Sequence, residues 1–441
     1  MKIPAVKGTR DFYPQQMARR NWIIDGWKKA SIRNGFVEYD GPILEYLKMF
    51  QIKSGDEIAG QLFSLQDRGG RELAIRPEIT PTLARMISQR INTLPRPIKW
   101  FSVPRLCRAE RPQRGRLREF FQWNIDIIGE KSILADAEVI FTTVDYLRSV
   151  RLSHRDVKVR ISSRKFLASA LRNIGIPENQ LGSLYTLLDK YRKIPLNTFE
   201  KMLTEQVPDS AMSKKIVDLM NATALREVTD DIVGTNKELE EAIQELAHLH
   251  NLLNQMDVWQ YCDFCPSVVR GLAYYTGIVF EVHEIGGNLR AIAGGGRYDN
   301  LLHDFGGPDI PAVGMGMGDC VLEILLEEKG LFDKQVPVNS LDYFVVCAGV
   351  VTRTDERGVV LSTGEEEVVK LVAKLRQKGY SADFSYNFSS LSDQIRVAAA
   401  RNARKCIIIG QELFEENKLV VKDMSSREQE LIDADKFLEQ L

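Results

Sequence analysis

Long apolar runs are the first thing missing, since nowhere does the sequence approach the roughly 18 consecutive apolar residues a helix needs to cross a bilayer. The opening MKIPAVKGTRDFYP also lacks the apolar core of a secretory signal, so we expect a cytoplasmic protein with no membrane partner. An excess of one charge is missing too: a formal net charge of −1 over 441 residues exerts no overall pull on nucleic acid, and a polyanion would have to be met by local basic patches. Cysteine is scarce and scattered, with six residues at 107, 262, 265, 320, 347 and 406, which fits free thiols in a reducing compartment. Cys262-Asp-Phe-Cys265 has the spacing of half a zinc site but no second pair nearby, so no protein-held metal is expected. Two phosphate-binding signatures are absent as well. No Gly-x-Gly-x-x-Gly follows a strand within a βαβ unit and no Gly-x4-Gly-Lys-Ser/Thr loop occurs, which excludes Rossmann and P-loop readings.

What is present is concentrated between Arg105 and Gly129, RLCRAERPQRGRLREFFQWNIDIIG. It reads as a strand, a charged loop punctuated by Pro112 and Gly115, and a second strand. Arginines beside a glutamate in such a hairpin suit a planar base and a phosphate chain, because guanidinium is always charged and grips oxygens with parallel donors. A solvated basic hairpin fits the same stretch equally well.

The length suggests around three domains at about 150 residues each. Met17, Trp22, Ile23, Trp27 and Ala30 recur at helical spacing over Gln15–Arg33, Gly35 stops that helix, and Phe36–Leu44 reads as a strand. Gln61–Leu65 and Arg71–Ile75 read as paired strands around Asp67-Arg68-Gly69-Gly70. Arg76-Pro77-Glu78-Ile79-Thr80 then leads into a helix over Pro81–Arg90; Glu78 and Thr80 lie on one face of an extended segment and could reach one amino group, or could simply cap the helix. Ala135–Val150 reads as a helix and Val157–Ser162 as a strand. From Lys165 to about Met256 helical patterns dominate, with Leu184–Ile194 and Lys237–Leu253 the clearest; Lys190, Arg192 and Lys193 there could touch a polyanion or be a solvated face. Strands resume at VVRGLAYYTGIVFEVH, followed by a glycine-rich turn at Ala293–Asp299 and by AVGMGMGDCVLEILL, a strand running into a helix.

Taken together, KGTRDF from residue 7, RPEIT from 76, RAERPQRGRLREFFQ from 108, VRGLAYYTG from 269, GGGRYDNL from 294 and GMGMGD from 314 resemble, in order, the motifs of the histidyl-tRNA synthetases, which are class II aminoacyl-tRNA synthetases. The resemblance implies an α+β fold: an antiparallel-sheet catalytic domain in two parts (1–164 and 257–327), a helical insertion (165–256), a linker (328–340) and an α/β anticodon-binding domain (341–441). It also implies ATP and Mg2+, L-histidine and histidine tRNA as ligands, and a homodimer built partly on the first helix and strand. By the same resemblance Arg108 and Arg270 would clamp the α-phosphate, with Glu110, Arg116 and Phe120 on the rest of ATP. Glu78, Thr80, Gln122, Asp126, Tyr274 and Tyr275 would hold histidine. An acid and a phenol on the two nitrogens of an imidazole reject isosteres lacking them.

Three positions depart from the commoner pattern: Asp126 for Glu, Ala273 for Asp, and Val321 for the third-motif arginine that meets ATP. Loss of that guanidinium would cost a few kcal/mol in the transition state, unless Arg297 or a helix terminus replaces it. A second class remains open, the non-catalytic histidine-sensing regulatory subunits of ATP phosphoribosyltransferase. Those typically lack the arginines equivalent to Arg108 and Arg270 and the C-terminal domain; both are present here.

Overall fold

The computed structural model describes residues 3–51, 62–228, 236–269, 275–332, 336, 340–349 and 351–440. The chain divides into two compact units between Val336 and Pro337. In the first unit the strands are β1 (Val37–Glu38), β2 (Leu44–Tyr46), β3 (Phe63–Gln66), β4 (Glu72–Ile75), β5 (Ile98–Ser102), β6 (Arg105–Cys107), β7 (Glu119–Ile128), β8 (Val157–Ser163), β9 (Cys262–Phe264), β10 (Ile278–Glu284), β11 (Ala293–Arg297) and β12 (Ala312–Gly318). The helices are α1 (Pro14–Arg33), α2 (Leu47–Gln51), α3 (Thr80–Arg90), α4 (Ile133–Ser149), α5 (Arg164–Ile174), α6 (Glu178–Leu188), α7 (Leu196–Gln206), α8 (Ser210–Asn221), α9 (Lys237–Gln255), α10 (Leu301–Asp304) and α11 (Asp319–Glu328).

One large sheet organises this unit. Strands β5, β7, β12, β11, β10 and β8 lie side by side in that order, each antiparallel to the next. Short parallel strands, β1 and β9, flank them, and β6 pairs with the start of β7. The sequence of β12, Ala-Val-Gly-Met-Gly-Met-Gly, shows why the two faces differ, because the strand period of two sends both methionines one way and the glycines the other. Met315 and Met317 are buried with Trp123, Ile125, Val313 and Phe280 in the main core, under α1 and α4. There the indoles of Trp27 and Trp123 stack at 6.3 Å, and Ser31 accepts a 2.8 Å bond from the Trp123 ring nitrogen, so the one polar atom of that indole is satisfied. Each such large side chain contributes about 1.5–3 kcal/mol by leaving water. On the opposite face, α3 packs Ile79, Leu83 and Ile87 against Ile98, Ile128, Val279 and Ala312. That cluster covers only one end of the sheet and leaves the glycine end accessible.

Several expected elements shift for identifiable reasons. Helix α1 ends where expected, with Gly35 at φ +77° donating to Ile32. The strand expected over Phe36–Leu44 shrinks to β1, with β2 starting at Leu44, because Gly41-Pro42 breaks the ladder. The helix expected over Leu184–Ile194 belongs instead to α6 and stops at Leu188; Arg192 takes φ +63° and Pro195 disfavours helix at the residue before it. The expected glycine-rich turn is β11, a central strand paired on both sides, where tertiary pairing overrides a turn-like composition. Between β8 and β9 the described residues are helical, apart from turns and short connections.

The second unit carries a five-stranded sheet in the order β16 (Ala382–Phe384), β13 (Tyr343–Cys347), β17 (Lys405–Ile409), β18 (Lys418–Asp423), β19 (Gln429–Asp433). The first three are parallel and the last two antiparallel. Helices α12 (Gly364–Gln377) and α13 (Leu391–Ala400) supply the crossovers between the parallel strands, as the pattern implied. A hairpin of β14 (Thr352–Thr354) and β15 (Val360–Thr363) and the strands β18 and β19 were not anticipated.

Candidate active site

The accessible face of the large sheet is laid out along β7. Its alternate residues Phe120, Gln122, Asn124 and Asp126 share one face. Across the ladder Gln122 lies opposite Gly318, Asn124 opposite Gly316, and Asp126 opposite Gly314. The row continues onto β11, with Gly294 opposite Gly316 and Gly296 opposite Gly314, and then to Glu281 on β10 and Arg160 on β8. The result is a floor of bare backbone, with polar side chains on either side. A side chain on that floor has nowhere to go: a Cβ at Gly316 would lie 3.0 Å from the Gln122 side chain, and one at Gly314 would collide with an Asp126 carboxylate oxygen at 2.2 Å.

A cleft of about 890 Å³ lies over the Gln122 end of this floor, lined by Gly294, Gly316 and Gly318 and not by Asp126, Gly296 or Gly314. Of the residues expected from sequence, Glu78, Arg108, Glu110, Arg116, Phe120 and Gln122 line it. Arg108, just past β6, donates from Nε to the Pro77 carbonyl at 3.0 Å and holds its guanidinium 5.1 Å from the centre of the Phe120 ring. The Arg-Pro-Glu-Ile-Thr segment is thereby fixed to the hairpin; Arg76 adds bonds to the Arg105 carbonyl at 3.2 Å and to Asp40 at 2.7 Å. Glu110 is buried, and one of its oxygens takes a short bond from Arg116. The other, Oε1, is buried with no hydrogen-bond partner among the described residues. A buried carboxylate oxygen left unpaired is costly, so this atom is suited to a ligand's N–H donor.

Asp126 lies deeper. It is 4% exposed and accepts a short bond from the Tyr298 hydroxyl. Burial, and next the charge of Asp126, push the neighbouring Tyr39 phenol well above its usual value. Tyr275 is buried in the same cluster as Tyr298, Tyr39 and Val279, and its ring lies where a Cβ on Gly296 would touch it at 2.9 Å. It also lines a second cavity, with Arg164 and Tyr185. Thr80 is the first residue of α3 and half-buried. Arg270 and Tyr274 lie outside the described residues. From Phe120 to Asp126 the track is about 20 Å long at the usual strand rise. It has an aromatic ring and an acceptor at one end, cations and bare backbone in the middle, and a buried acid and phenols at the other.

Other contributors had no assigned place at the site, although Arg10 lies in KGTRDF and Arg192 and Lys193 stand out as basic. Arg10 pairs with Asp319 at 2.5 Å and with Glu323 at 2.8 Å, and Asp319 accepts from the Phe121 backbone at 3.0 Å, so the N-terminal motif fastens the start of α11 to β7. Arg192 and Lys193, between α6 and α7, line the cleft together with Arg160, Glu281 and Arg290. Arg297 does not replace the missing third-motif arginine. It is 6% exposed and committed to Asp136, Asp299 and the carbonyls of Glu130 and Ser132. Burial pushes the Asp136 carboxyl up to about 6 although Arg297 pulls the other way.

Comparison with known proteins decides the family. Residues 8–318 match the family model described as histidyl-tRNA synthetase. The chain belongs to the histidyl-tRNA synthetase family. Residues 351–441 match the model of an anticodon-binding domain. Among curated histidyl-tRNA synthetases, the chain is 38% identical to the chloroplastic/mitochondrial histidine–tRNA ligase of Arabidopsis thaliana, over 96% of this chain and 83% of that one. It is 35% identical to the histidine–tRNA ligase of Opitutus terrae, over 96% and 94%. A crystal structure of the histidyl-tRNA synthetase from Nostoc sp. PCC 7120 superposes with a TM-score of 0.80 at 23% identity, covering 100% of this chain and 99% of that one, a likeness of fold.

Proposed function

We propose that this chain is a histidine–tRNA ligase: it activates L-histidine with ATP to histidyl-adenylate and transfers the histidyl group to the 3′ end of histidine tRNA. The observation that carries the reading is the linear track on β7, whose ends differ chemically and whose length fits an extended aminoacyl-adenylate. The adenine belongs at Phe120, with Glu110 Oε1 accepting from its amino group and the Phe120 ring stacked on the base. Arg108, which lines the cleft, is assigned to the α-phosphate and Arg116 to the distal phosphates; Arg270, outside the described residues, is assigned to the α-phosphate by its motif alone. The amino group of histidine is assigned to Glu78 and Thr80 and the rest of the amino acid to Gln122, Asp126 and Tyr275, with Tyr274 added by its motif alone.

In the first step an oxygen of the histidine carboxylate forms a bond to the α-phosphorus while the bond to the bridging oxygen breaks, and pyrophosphate leaves with the electron pair. The nucleophile is already ionised, so the chain needs no strong base; holding the reactants in line and stabilising charge supply the rate. In the second step a hydroxyl of the terminal ribose attacks the carbonyl carbon, the bond to the phosphate oxygen breaks, and AMP leaves with the electron pair and takes up the hydroxyl proton. Mg2+ would neutralise phosphate charge. Such an ion would be carried largely by the phosphates themselves.

A homodimer is supported by a run of exposed apolar side chains, Ile32, Val37, Ile43, Leu44, Tyr46 and Leu65, on the end of α1, β1 and the small β2–β4–β3 sheet. Among the described residues no helix is long and apolar enough to cross a membrane; the proposal of a cytoplasmic enzyme is supported by the six scattered cysteines, which fit a reducing compartment. A regulatory histidine sensor would have no use for the C-terminal anticodon-binding domain. The decisive experiment is exchange of labelled pyrophosphate into ATP by the purified protein. Exchange that depends on histidine, and on no other amino acid, is the expected result, and its absence would refute the reading.

A further inference from the structure

The family pattern places an arginine where this chain has Val321, and none of the obvious substitutes serves. Val321 is 7% exposed and belongs to the main core. Arg297 is consumed by Asp136. The start of α11 presents Asp319, an acid already bonded to Arg10, so this helix end is a poor anion site. A positive charge does reach the same place from elsewhere. The tip of the hairpin loop is a tight turn in which Gln113 and Arg116 exchange two backbone bonds of 2.9 Å. Val321 packs beneath that turn, its Cγ2 only 2.9 Å from where a Cβ on Gly115 would stand. Arg290, in the connection between β10 and β11, donates from Nη2 to the side-chain oxygen of Gln113 in the same turn at 2.5 Å. Val321, Gly115, Arg116 and Arg290 all line the cleft.

We infer that Arg290 supplies the phosphate-binding guanidinium that is missing at position 321. Its partner Gln113 is neutral, and among the described residues no carboxylate forms an ion pair with it, so its charge is available to an anion. Guanidinium offers five donors, and a side-chain amide engages only part of that fork. Arg290 can therefore keep its bond to Gln113, which holds it against the loop, and still present donors to the phosphates at the Arg116 end of the track. These are the β- and γ-phosphates, given an α-phosphate at Arg108. The inference rests on the ligase reading above.

The test is Arg290→Ala, with Arg290→Lys as a charge-retaining control, in the full-length protein. Arg290 is exposed, so both variants should unfold at the wild-type temperature. A charge-assisted bond of about 1.5–3 kcal/mol corresponds to roughly 10- to 150-fold. Arg290→Ala should thus raise the KM for ATP at least about ten-fold and weaken pyrophosphate similarly in the reverse direction, while the KM for histidine and the Kd for AMP stay within about two-fold. Arg290→Lys should recover part of the loss, a point charge replacing a fork. An unchanged KM for ATP, or an equal weakening of AMP, would overturn the inference. Absence of histidine-dependent exchange in the wild type would instead refute the reading on which it rests.

Discussion

Replacing Gly316 by alanine tests the bare floor of the site without removing any charged group, and replacing Gly295 by alanine provides its control. The two glycines lie on neighbouring strands but on opposite faces of the sheet. At Gly316 the new methyl would sit 3.0 Å from Cδ and 3.1 Å from Nε2 of Gln122, and 3.3 Å from the Asn124 side chain. These are side-chain atoms that can yield by a few tenths of an ångström, so the cost in stability should be about 1 kcal/mol or less. At Gly295 the methyl would meet the Gly314 carbonyl oxygen at 2.3 Å and the Met315 Cα at 2.9 Å, both backbone. Adjacent strands would have to separate, a cost of about 3 kcal/mol or more. Function should respond in the opposite order. A methyl on the floor lifts the ligand by about 1 Å and displaces Gln122, and a misplacement of that size costs on the order of 100-fold in rate. Denaturant unfolding and pyrophosphate exchange, measured on both variants, separate the effects. Wild-type exchange in Gly316→Ala, or equal loss of stability in the two variants, would refute the two-faced account of β12.

Four further outcomes are expected. Arg108→Ala should lower the exchange rate by about two orders of magnitude with little change in histidine affinity, so normal exchange would remove Arg108 from the phosphate clamp. Tyr298→Phe deletes the donor to Asp126 and should raise the KM for histidine while sparing that for ATP; equal effects on both would misplace the histidine end. Arg297→Met leaves Asp136 buried without its cation and should cost about 3–5 kcal/mol at pH 7.5. Burial already raises the folded carboxyl to about 6 while Arg297 holds it down, so stability falls as pH rises through that value, and without Arg297 the pKa rises further and the fall is steeper; the deficit of the variant should therefore grow from pH 5 to pH 7.5, and a pH-independent deficit would contradict it. Ending the chain at Val336 should depress tRNA charging more than exchange, and untouched charging would deny the second unit a role in tRNA binding.

The sequence revealed most where one local rule sufficed. The glycine-spaced AVGMGMG announced a strand running into a helix, as β12 and α11 are, and the turn residues of the Arg105–Gly129 hairpin marked its loop. It misled where pairing partners decide, as at Gly294-Gly295-Gly296, whose composition suggests a turn but whose backbone is held by β10 and β12. Glu78, Arg108, Glu110, Arg116, Phe120 and Gln122 were legible because motifs keep them together in the chain, and the fold brings all six to one cleft. Contacts made across long separations left no trace in the sequence: Tyr298 with Asp126, Arg297 with Asp136, Arg10 with Asp319, and Arg290 with Gln113.

The chain leaves the large sheet at Ser163 and returns at Cys262 as the parallel neighbour of the strand it left, with Val159 opposite Cys262. Everything between departs and rejoins at one doorway, so its length is nearly invisible to the register of the sheet. Closing an excursion of roughly a hundred residues instead of a dozen costs only about 2 kcal/mol, at about 0.6 kcal/mol per doubling. The helices in it offset that cost by extending the main core, in which Leu184, Phe199, Leu203, Ile216 and Leu249 are buried in one cluster with Trp123 and Phe280. The excursion can therefore change in size while β8 and β9 stay paired, provided α9 keeps the apolar face, with Leu246, Leu249 and Leu253, that it buries in the main core, and the stretch from Asp189 to Lys193 still reaches the cleft it helps to line.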